Sequence, residues 1–445
     1  MEHTSTASIK AARGLLAALF VLSVYRAVTQ AVTPGEAWNY NRYIGTGWTE
    51  AFSMFDVNNH VLNTLLGKIL TAHLHVTELW LRLPSLVCGV LYFWAVWRLA
   101  RRFGAGLMFL AAVGLLTLNP MVVDGLSEAR GYGMGLAFWS WGLELLLESS
   151  EQDSRQKVYL AGVCLGLSVA AALAFLAPGC ALVVVYAGWG RGRGGALAGW
   201  ACLTAFLLLV IPLNHAEWKT LAVGATSLRQ TINELSALTF GTSSKVLAAA
   251  ARVVVAVVAV VGAAAAGRWW RRDGGLVVLT GGTLALSLVV LMLAHAWMQV
   301  AFPQGGSVYL IPLLVLSVMG SILKFRHKAA QVGFLILSVV GIGRYVMELP
   351  LGMYASGRQF AGGRKLAKTL RAAAAQKAVR IGASAGAAPI LEFYKTRYRQ
   401  GNWQGIGQGL SGESDFYVLV VGEGRLVGHL HVLYRDAGLT LLQAN

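Results

Sequence analysis

The sequence predicts an α-helical polytopic membrane protein: a bundle of about eleven transmembrane helices, followed by a small C-terminal α/β domain. Three observations predict it. The chain is 56% hydrophobic and only 13% charged, with mean hydropathy +0.60, more apolar surface than a soluble fold hides. The apolar residues fall into eleven stretches, each about long enough to cross the hydrocarbon core. Lys and Arg collect in every second connection, the pattern of loops held on the cytoplasmic side.

The spans lie roughly at 14–33, 84–101, 104–122, 131–148, 158–176, 179–190, 195–213, 247–266, 275–297, 308–323 and 329–347. The basic set between them is Lys10/Arg13, Arg98/Arg101/Arg102, Arg155/Lys157, Arg191/Arg193, Arg268/Arg271/Arg272 and Lys324/Arg326/Lys328. An odd number of crossings puts the N-terminus in the cytoplasm and the C-terminus outside, in a multi-pass protein of the inner (plasma) membrane. The first span is read as uncleaved, because Arg26 interrupts it and no clear A-x-A site follows. Arg26 then lies near its outer end and is expected to snorkel. Glu144, inside the fourth span, is expected to snorkel or to bond within the bundle.

Residues 1–347 thus form a membrane domain with two long outer loops, 34–83 and 214–246, and residues 348–445 form an extracytoplasmic domain. In the tail, 358–377 reads as a basic, Ala-rich helix and 388–398 as a short helix, with strands at 379–384, 415–421 and 429–435. The net charge of +17 does not indicate nucleic acid, since much of it is topological. The basic tail suits membrane lipid headgroups. Cys88, Cys164, Cys180 and Cys202 sit in apolar spans and show no disulfide or metal spacing.

The short cytoplasmic loops and long outer ones place the working surface outside. Three polar clusters lie there. In "TPGEAWNYNRY", Thr33 and Glu36 have capping-box spacing, with Pro34 at the first helical position. Glu36 therefore either closes a helix start or presents a carboxylate just outside the bilayer, and both can hold. In "FDVNNHVLNTLLGKIL", Asn58 or Asn59 can cap a helix starting near His60. The bland reading is an Asn cap beside an exposed Asp56. The functional one is that Asp56, Asn59 and His60 orient sugar hydroxyls or move a proton. In "NPMVVDGLSEARGYGMGLAF", Asp124, Glu128 and Tyr132 share one face if the stretch is helical. Glu128 suits an interfacial ion pair, and the Arg130 fork suits a phosphate. The segment 214–246 contains an amphipathic helix, "SLRQTINELSALTF", read as a solvated surface helix or a lid.

Together these pieces resemble the GT-C glycosyltransferases, in the branch of protein O-mannosyltransferases and lipid A aminoarabinose transferases. "GEAWNY" resembles the family's acidic motif after the first span, and "NNHVLNTLL" its H-P-P-L-x-x-x-L-L stretch. "LRLPSLVCGVL" is similar to the start of its next membrane helix, and "SEARGYGM" to its E-x-R-x-Y element. "AFPQGGSVYLIPL" looks like its late outer loop, and "ILEFYKTRY" with "DFYVLVV" like its tail. The resemblance implies a GT-C-like fold and inverting transfer of a sugar from a polyprenyl-phosphate donor to a glycan, lipid or protein acceptor hydroxyl at the outer face. It also implies a carboxylate base and basic groups around the phosphate.

Departures shift the roles. Gly35-Glu36 stands where the family often has Asp-Glu, so Glu36 or Asp56 is expected as the base. Asn59 and His60 are expected to contact sugar, with Glu128 and Tyr132 in support. Gly305, Gly306 and Ser307 replace the Arg of the late loop, which leaves the phosphate to Arg130, Lys245 or Arg42. The same departures suit a catalytically altered or binding-only homologue. A lipid-linked sugar flippase needs polar groups at mid-membrane and is favoured by internal repeats, neither of which the sequence shows. No cofactor is required by the pattern. No His/Asp/Cys set demands a metal, and a divalent cation stays open.

Overall fold

A computed structural model describes residues 6–444 except 54–55, 57, 105, 191, 217–223, 242–243, 271–274, 304, 326, 350, 352–353, 376, 407–408, 411–412, 424–429 and 437. Glu217 and Lys219 of the second outer loop lie outside the described residues, as do Arg191, Arg271, Arg272 and Arg326 of the basic connections.

Helices occupy all eleven apolar stretches. The first half holds α1 (Thr6–Thr29), α2 (Pro34–Asn39), α3 (Trp48–Phe52), α4 (Val61–His73), α5 (Glu78–Arg101), α6 (Leu107–Thr117), α7 (Pro120–Gly125), α8 (Tyr132–Gln152) and α9 (Arg155–Ala171). The second half holds α10 (Leu176–Trp189), α11 (Gly194–Asn214), α12 (Leu228–Phe240), α13 (Lys245–Trp269), α14 (Gly275–Met298), α15 (Leu310–Phe325) and α16 (Lys328–Glu348). Seven of the described helices are long and apolar enough to cross a membrane: α1, α5, α11, α13, α14, α15 with the turn before it, and α16. Phe206, Val260 and Leu337 stand exposed on α11, α13 and α16, as lipid-facing side chains do. Inside, α8 packs on α5 and α9, and α10 and α13 pack on α14, around the fully buried Trp139.

Three local expectations fail. The stretch from Asp124 to Tyr132 is not one helix. It ends α7 at Gly125, turns, and restarts at Tyr132 after Gly131, whose φ of +70° is left-handed. A Cβ on Gly131 would lie 2.1 Å from the Ala171 carbonyl oxygen, so only glycine fits this turn. Asp124, Glu128 and Tyr132 therefore share no helical face. Secondly, neither Asn58 nor Asn59 caps α4. His60 holds the cap position without a side-chain bond, while Asn59 Oδ1 accepts from Thr64 Oγ1 at 3.0 Å. Thirdly, Arg26 does not snorkel. It is fully buried and ion-paired with Asp124 of α7, which disposes of an otherwise costly intramembrane charge. Glu144 bonds within the bundle, accepting from Arg98 Nε at 3.3 Å and Arg102 Nε at 2.9 Å.

The tail forms α17 (Gly363–Ala374), β1 (Val379–Ala383), α18 (Ala388–Arg397), β2 (Trp403–Gln404), β3 (Phe416–Val420), β4 (Leu430–Arg435) and β5 (Leu439–Ala444). The five-stranded sheet has order β2-β1-β3-β5-β4. Its first three strands are parallel, with Ile381 opposite Phe416, and β5 runs antiparallel to both β3 and β4. The core of the tail continues into the first outer loop: Val32, Ala37, Tyr40 and Ile44 pack in the same cluster as Ile381, Phe393 and Leu441. Asn41 Nδ2 donates to the Pro389 carbonyl at 2.9 Å, and the Tyr40 and Phe393 rings meet edge-on at 5.2 Å. Glu78, 1% exposed, gathers Arg364 Nε at 2.8 Å, Tyr394 Oη at 2.9 Å and Arg397. Two of the tail's arginines thus serve docking rather than lipid.

Candidate functional site

The site is assembled where four connections meet beside the tail: the first outer loop, the Asp124–Tyr132 turn, the turn after α9, and the late loop before α15. Glu36 is its hub. The expected capping box is present, with Thr33 N donating to Glu36 Oε2 at 2.9 Å and Thr33 Oγ1 accepting from Glu36 N at 3.3 Å. The same carboxylate also accepts from Arg82 Nε at 2.8 Å, Arg82 Nη2 at 2.7 Å and Ala129 N at 2.8 Å. Both side chains are fully buried. Burial raises the Glu36 pKa, but the Arg82 charge and hydrogen bonds, with the two backbone donors, outweigh it and hold the carboxyl below its usual value. A carboxylate with every lone-pair direction engaged is a poor proton acceptor. This geometry favours a positioning role for Glu36.

Arg82 was not singled out from the sequence, though it stands in the quoted "LRLPS". Besides Glu36 it donates to the Ala27, Gln30 and Ala31 carbonyls at 3.2, 2.9 and 2.8 Å, capping the C-terminal end of α1. Tyr354, from the start of the tail, lies between the Arg26 and Arg82 guanidinium groups, 4.8 and 5.0 Å from its ring centre. Its Oη donates to the Ser127 carbonyl at 3.1 Å. The pattern rule that could have found both arginines is that a charge inside an apolar span has a partner.

Glu36 thereby fixes Ala129, and Ala129 fixes Arg130. The half-buried Arg130 guanidinium stacks on Tyr132, 5.2 Å from the ring centre, and none of the described acidic side chains forms an ion pair with it. Burial opposes its charge, but Tyr132, Glu128 and Glu36 around it hold its pKa above the usual value. Gly35 makes room for it: a Cβ there would lie 2.9 Å from Arg130 Nε. Arg130 therefore crowds the very position where the family pattern has its acid.

His60 is 2% exposed, and its ring meets Tyr132 edge-on at 4.8 Å. Burial first, then the Arg130 charge, push its pKa down to about 3, against a hydrogen bond to the Ala171 backbone. The ring is neutral at pH 7. The late loop closes on the same tyrosine, since Cβ atoms on Gly305 and Gly306 would lie 3.4 and 3.2 Å from the Tyr132 ring. Beside this tyrosine, buried His60 Nδ1 has no hydrogen-bond partner among the described residues. Buried polar groups are normally satisfied, so this ring nitrogen beside Arg130 is a place where a polar ligand can complete the set.

Asp56 lies apart from Glu36. It accepts from Tyr43 Oη at 2.6 Å and Asn58 N at 2.7 Å, its side chain is 19% exposed, and Arg42 Nε is 3.9 Å away. The Arg42 side chain is 47% exposed and stacks over Trp38. Lys68 donates to the Tyr43, Ile44 and Thr46 carbonyls at 3.0, 3.1 and 2.5 Å, which fixes the turn that carries Tyr43. The structure thus brings together His60, Arg130 and Tyr132, with Glu36 beneath and Glu128 beside them. Ser85 Oγ donates to the Glu128 carbonyl at 2.7 Å. Lys245 stands exposed at the start of α13 and bonds to none of these residues. One face of α12 is buried rather than solvated, with Ile232 and Leu235 in the core. Its preceding loop joins the late loop through the Ala225–Phe302 bridge. Among the described residues no three His, Cys, Asp or Glu side chains are placed to hold a metal ion.

No protein-family model matches the chain, and no curated protein sequence does. The chain is similar in structure to ArnT from Cupriavidus metallidurans bound to undecaprenyl phosphate, with TM-score 0.59 and 13% identity over 99% of this chain and 98% of that one. The apo state of the same protein superposes with TM-score 0.44 and 14% identity over 98% of both chains. The first likeness establishes the fold: a GT-C-type membrane bundle with a small C-terminal α/β unit, as the motif order implied.

Proposed function

We propose that the protein transfers a sugar from a polyprenyl-phosphate donor to an acceptor hydroxyl, with inversion, at the outer face of the inner membrane. Topology follows the basic loops, with the N-terminus in the cytoplasm and the tail outside. The observation that carries the reading is Arg130: a half-buried guanidinium without an ion-pair partner among the described residues, beside the unpartnered buried Nδ1 of His60. Such a group is built for an anion, and a phosphate matches its fork. The undecaprenyl phosphate bound by the structural relative is an anion of that class.

In this reading Arg130 binds the donor phosphate, while Tyr132 and neutral His60 hold its orientation. Asn59, expected to contact sugar, is 3% exposed with its amide bonded to Thr64 and the Ala51 carbonyl and serves to hold the loop, while Arg42 and Glu128 bound the site. Asp56 is the base. The acceptor oxygen attacks the anomeric carbon, the carbon–oxygen bond to phosphate breaks, the acceptor proton passes to Asp56, and the polyprenyl phosphate leaves with the electron pair. Arg130 stabilises the charge that develops on that phosphate. Glu36 and Arg82 act at one remove, through Ala129.

The test uses the full chain in liposomes with polyprenyl-phosphate sugars and total envelope acceptors. Expected is release of polyprenyl phosphate that depends on acceptor and falls about 100-fold or more in Arg130→Gln and Asp56→Asn. Tight donor binding with no turnover would replace the transferase by a binding-only homologue, the reading that Gly35 and the late-loop glycines favour.

A further inference from the structure

Where the tail meets the membrane bundle, one acid faces more positive charge than it balances. Glu78, the first residue of α5, is paired with both Arg364 and Arg397, one carboxylate against two guanidinium groups. The acid of α18, Glu392, has Lys395 3.7 Å away. Arg364 Nη2 also donates to the Val28 carbonyl at 2.9 Å, in the last turn of α1. Both α1 and α5 are long and apolar enough to cross a membrane, and these bonds place the start of α17 at their tail-side ends.

The same face of α17 continues past Arg364. Lys368 and Arg371 follow it at helical spacing and share its stripe, while Leu366, Ala367 and Leu370 turn into the core of the tail. Arg371 lies 5.5 Å from the centre of the Tyr398 ring, and Arg397 lies 5.6 Å from the same centre. The stripe is therefore tied to Glu78 twice, directly at Arg364 and by way of Tyr398 and Arg397 at Arg371. Lys368 and Arg371 are exposed, and among the described residues neither has an ion-pair partner.

A cavity of about 490 Å³ opens in this seam. Leu74, His75 and Val76, from the turn before α5, line it together with Arg397 and Arg399 of the tail. Leu74 is 37% exposed and Ile69 before it 44%, apolar side chains beside the end of a span. Arg399 is exposed and has no ion-pair partner among the described residues. It also holds a left-handed backbone, with φ +53°, directly after the Tyr398 cap of α18. Glycine is the usual occupant of such a position, and an L side chain there is strained. Strain retained for an exposed arginine with no acid to meet points to a ligand.

We propose that this seam binds an anionic phospholipid of the leaflet on the tail's side, with its phosphate held by Arg399 and Arg371 and its apolar part beside Leu74. A phosphate matches the guanidinium fork, and clustered Lys and Arg next to spans attract acidic headgroups. None of these residues belongs to the transfer site, so failure of this assignment leaves that reading standing.

The experiment is native mass spectrometry of the full chain from mild detergent, followed by titration of delipidated protein with phosphatidylglycerol, phosphatidylcholine or inorganic phosphate. Expected is retention of phosphatidylglycerol in preference to phosphatidylcholine, with binding about tenfold weaker in Arg399→Gly and in Arg371→Gln. Arg399→Gly relieves the left-handed strain, so it is expected to unfold no earlier than wild type, and its loss of lipid is then not a loss of fold. Absence of retained phosphatidylglycerol, equal binding of it by Arg399→Gly, equal binding of phosphatidylcholine, or displacement of the lipid by inorganic phosphate at equal concentration would each overturn the assignment.

Discussion

Replacing Glu36 by Gln separates a positioning carboxylate from a catalytic one. Glu36 accepts four hydrogen bonds from outside its own backbone turn or within it, from Arg82 Nε, Arg82 Nη2, Thr33 N and Ala129 N, at 2.7–2.9 Å. A glutamine offers one oxygen and one amide nitrogen. Whichever way the amide is turned, two of these donors then face an N–H group. The Arg82 charge also loses its counter-ion while fully buried. Breaking a buried pair from one side costs about 3–5 kcal/mol. Asp56 is different: it has two hydrogen-bond donors and partial exposure. Asn keeps an acceptor there, and the stability cost is about 1 kcal/mol. The assay pairs thermal unfolding in detergent with initial rates of sugar release. Expected is a clear loss of stability in Glu36→Gln, and in Asp56→Asn a near-native unfolding curve with transfer down about 100-fold or more. Should Glu36→Gln unfold like wild type yet transfer nothing, while Asp56→Asn stays active, Glu36 is the base and the positioning argument is wrong.

Gly35→Asp puts a carboxylate against Arg130, whose Nε is 2.9 Å from the new Cβ. Donor KM is expected to rise about tenfold as that internal partner competes with phosphate, read by donor titration at fixed acceptor. At Tyr354, Phe keeps the ring between Arg26 and Arg82 and loses only the bond to Ser127, an expected cost of about 1 kcal/mol. Tyr354→Ala removes the ring and is expected to cost about 3 kcal/mol or more in the same unfolding assay. Acid titration reads His60. Its folded pKa of about 3 lies below its ordinary 6.5, so the unfolded chain binds the extra proton. His60 therefore opposes folding progressively as pH falls from 6.5 towards 3, by roughly 1.4 kcal/mol per pH unit once well below 6.5. His60→Gln is expected to flatten that part of the stability–pH curve, and an unchanged slope would show that the ring is not buried neutral.

The bundle was legible because bilayer thickness imposes one length on every span and loop charge imposes a side. Breaks inside spans were less so. Asn119 ends the third stretch by accepting from Met121 N at 3.0 Å to start α7, a cap followed by proline that reads plainly once a boundary is suspected. The tail's strands at 379–384, 415–421 and 429–435 alternate or run apolar and were readable. Two strands were missed. β2 is only Trp403–Gln404, too short for a period, whereas β5 (Leu439–Ala444) follows a turn signalled by Asp436 and Gly438, with Asp436 Oδ1 accepting from Gly438 N at 2.9 Å and Leu439 N at 2.7 Å.

The site was legible by residue type but not by role, because role here depends on what lies 46 or 93 residues away in the chain. The spacing of Thr33 and Glu36 announced a capping box. Nothing local announced that the same carboxylate reaches Arg82, 46 positions on, and the Ala129 amide, 93 positions on. The two sequence departures also have one physical account. At Gly35 the acid is absent, and Arg130 occupies the space that an acid there would fill. Were an aspartate present, the guanidinium would be its partner and not free for phosphate. With glycine present, Glu36 stays sealed against Arg82, and Arg130 keeps its charge for a ligand. In the proposed mechanism the basic group missing from Gly305–Ser307 is then supplied by Arg130 from another loop, and the proton goes to Asp56, which unlike Glu36 retains exposure.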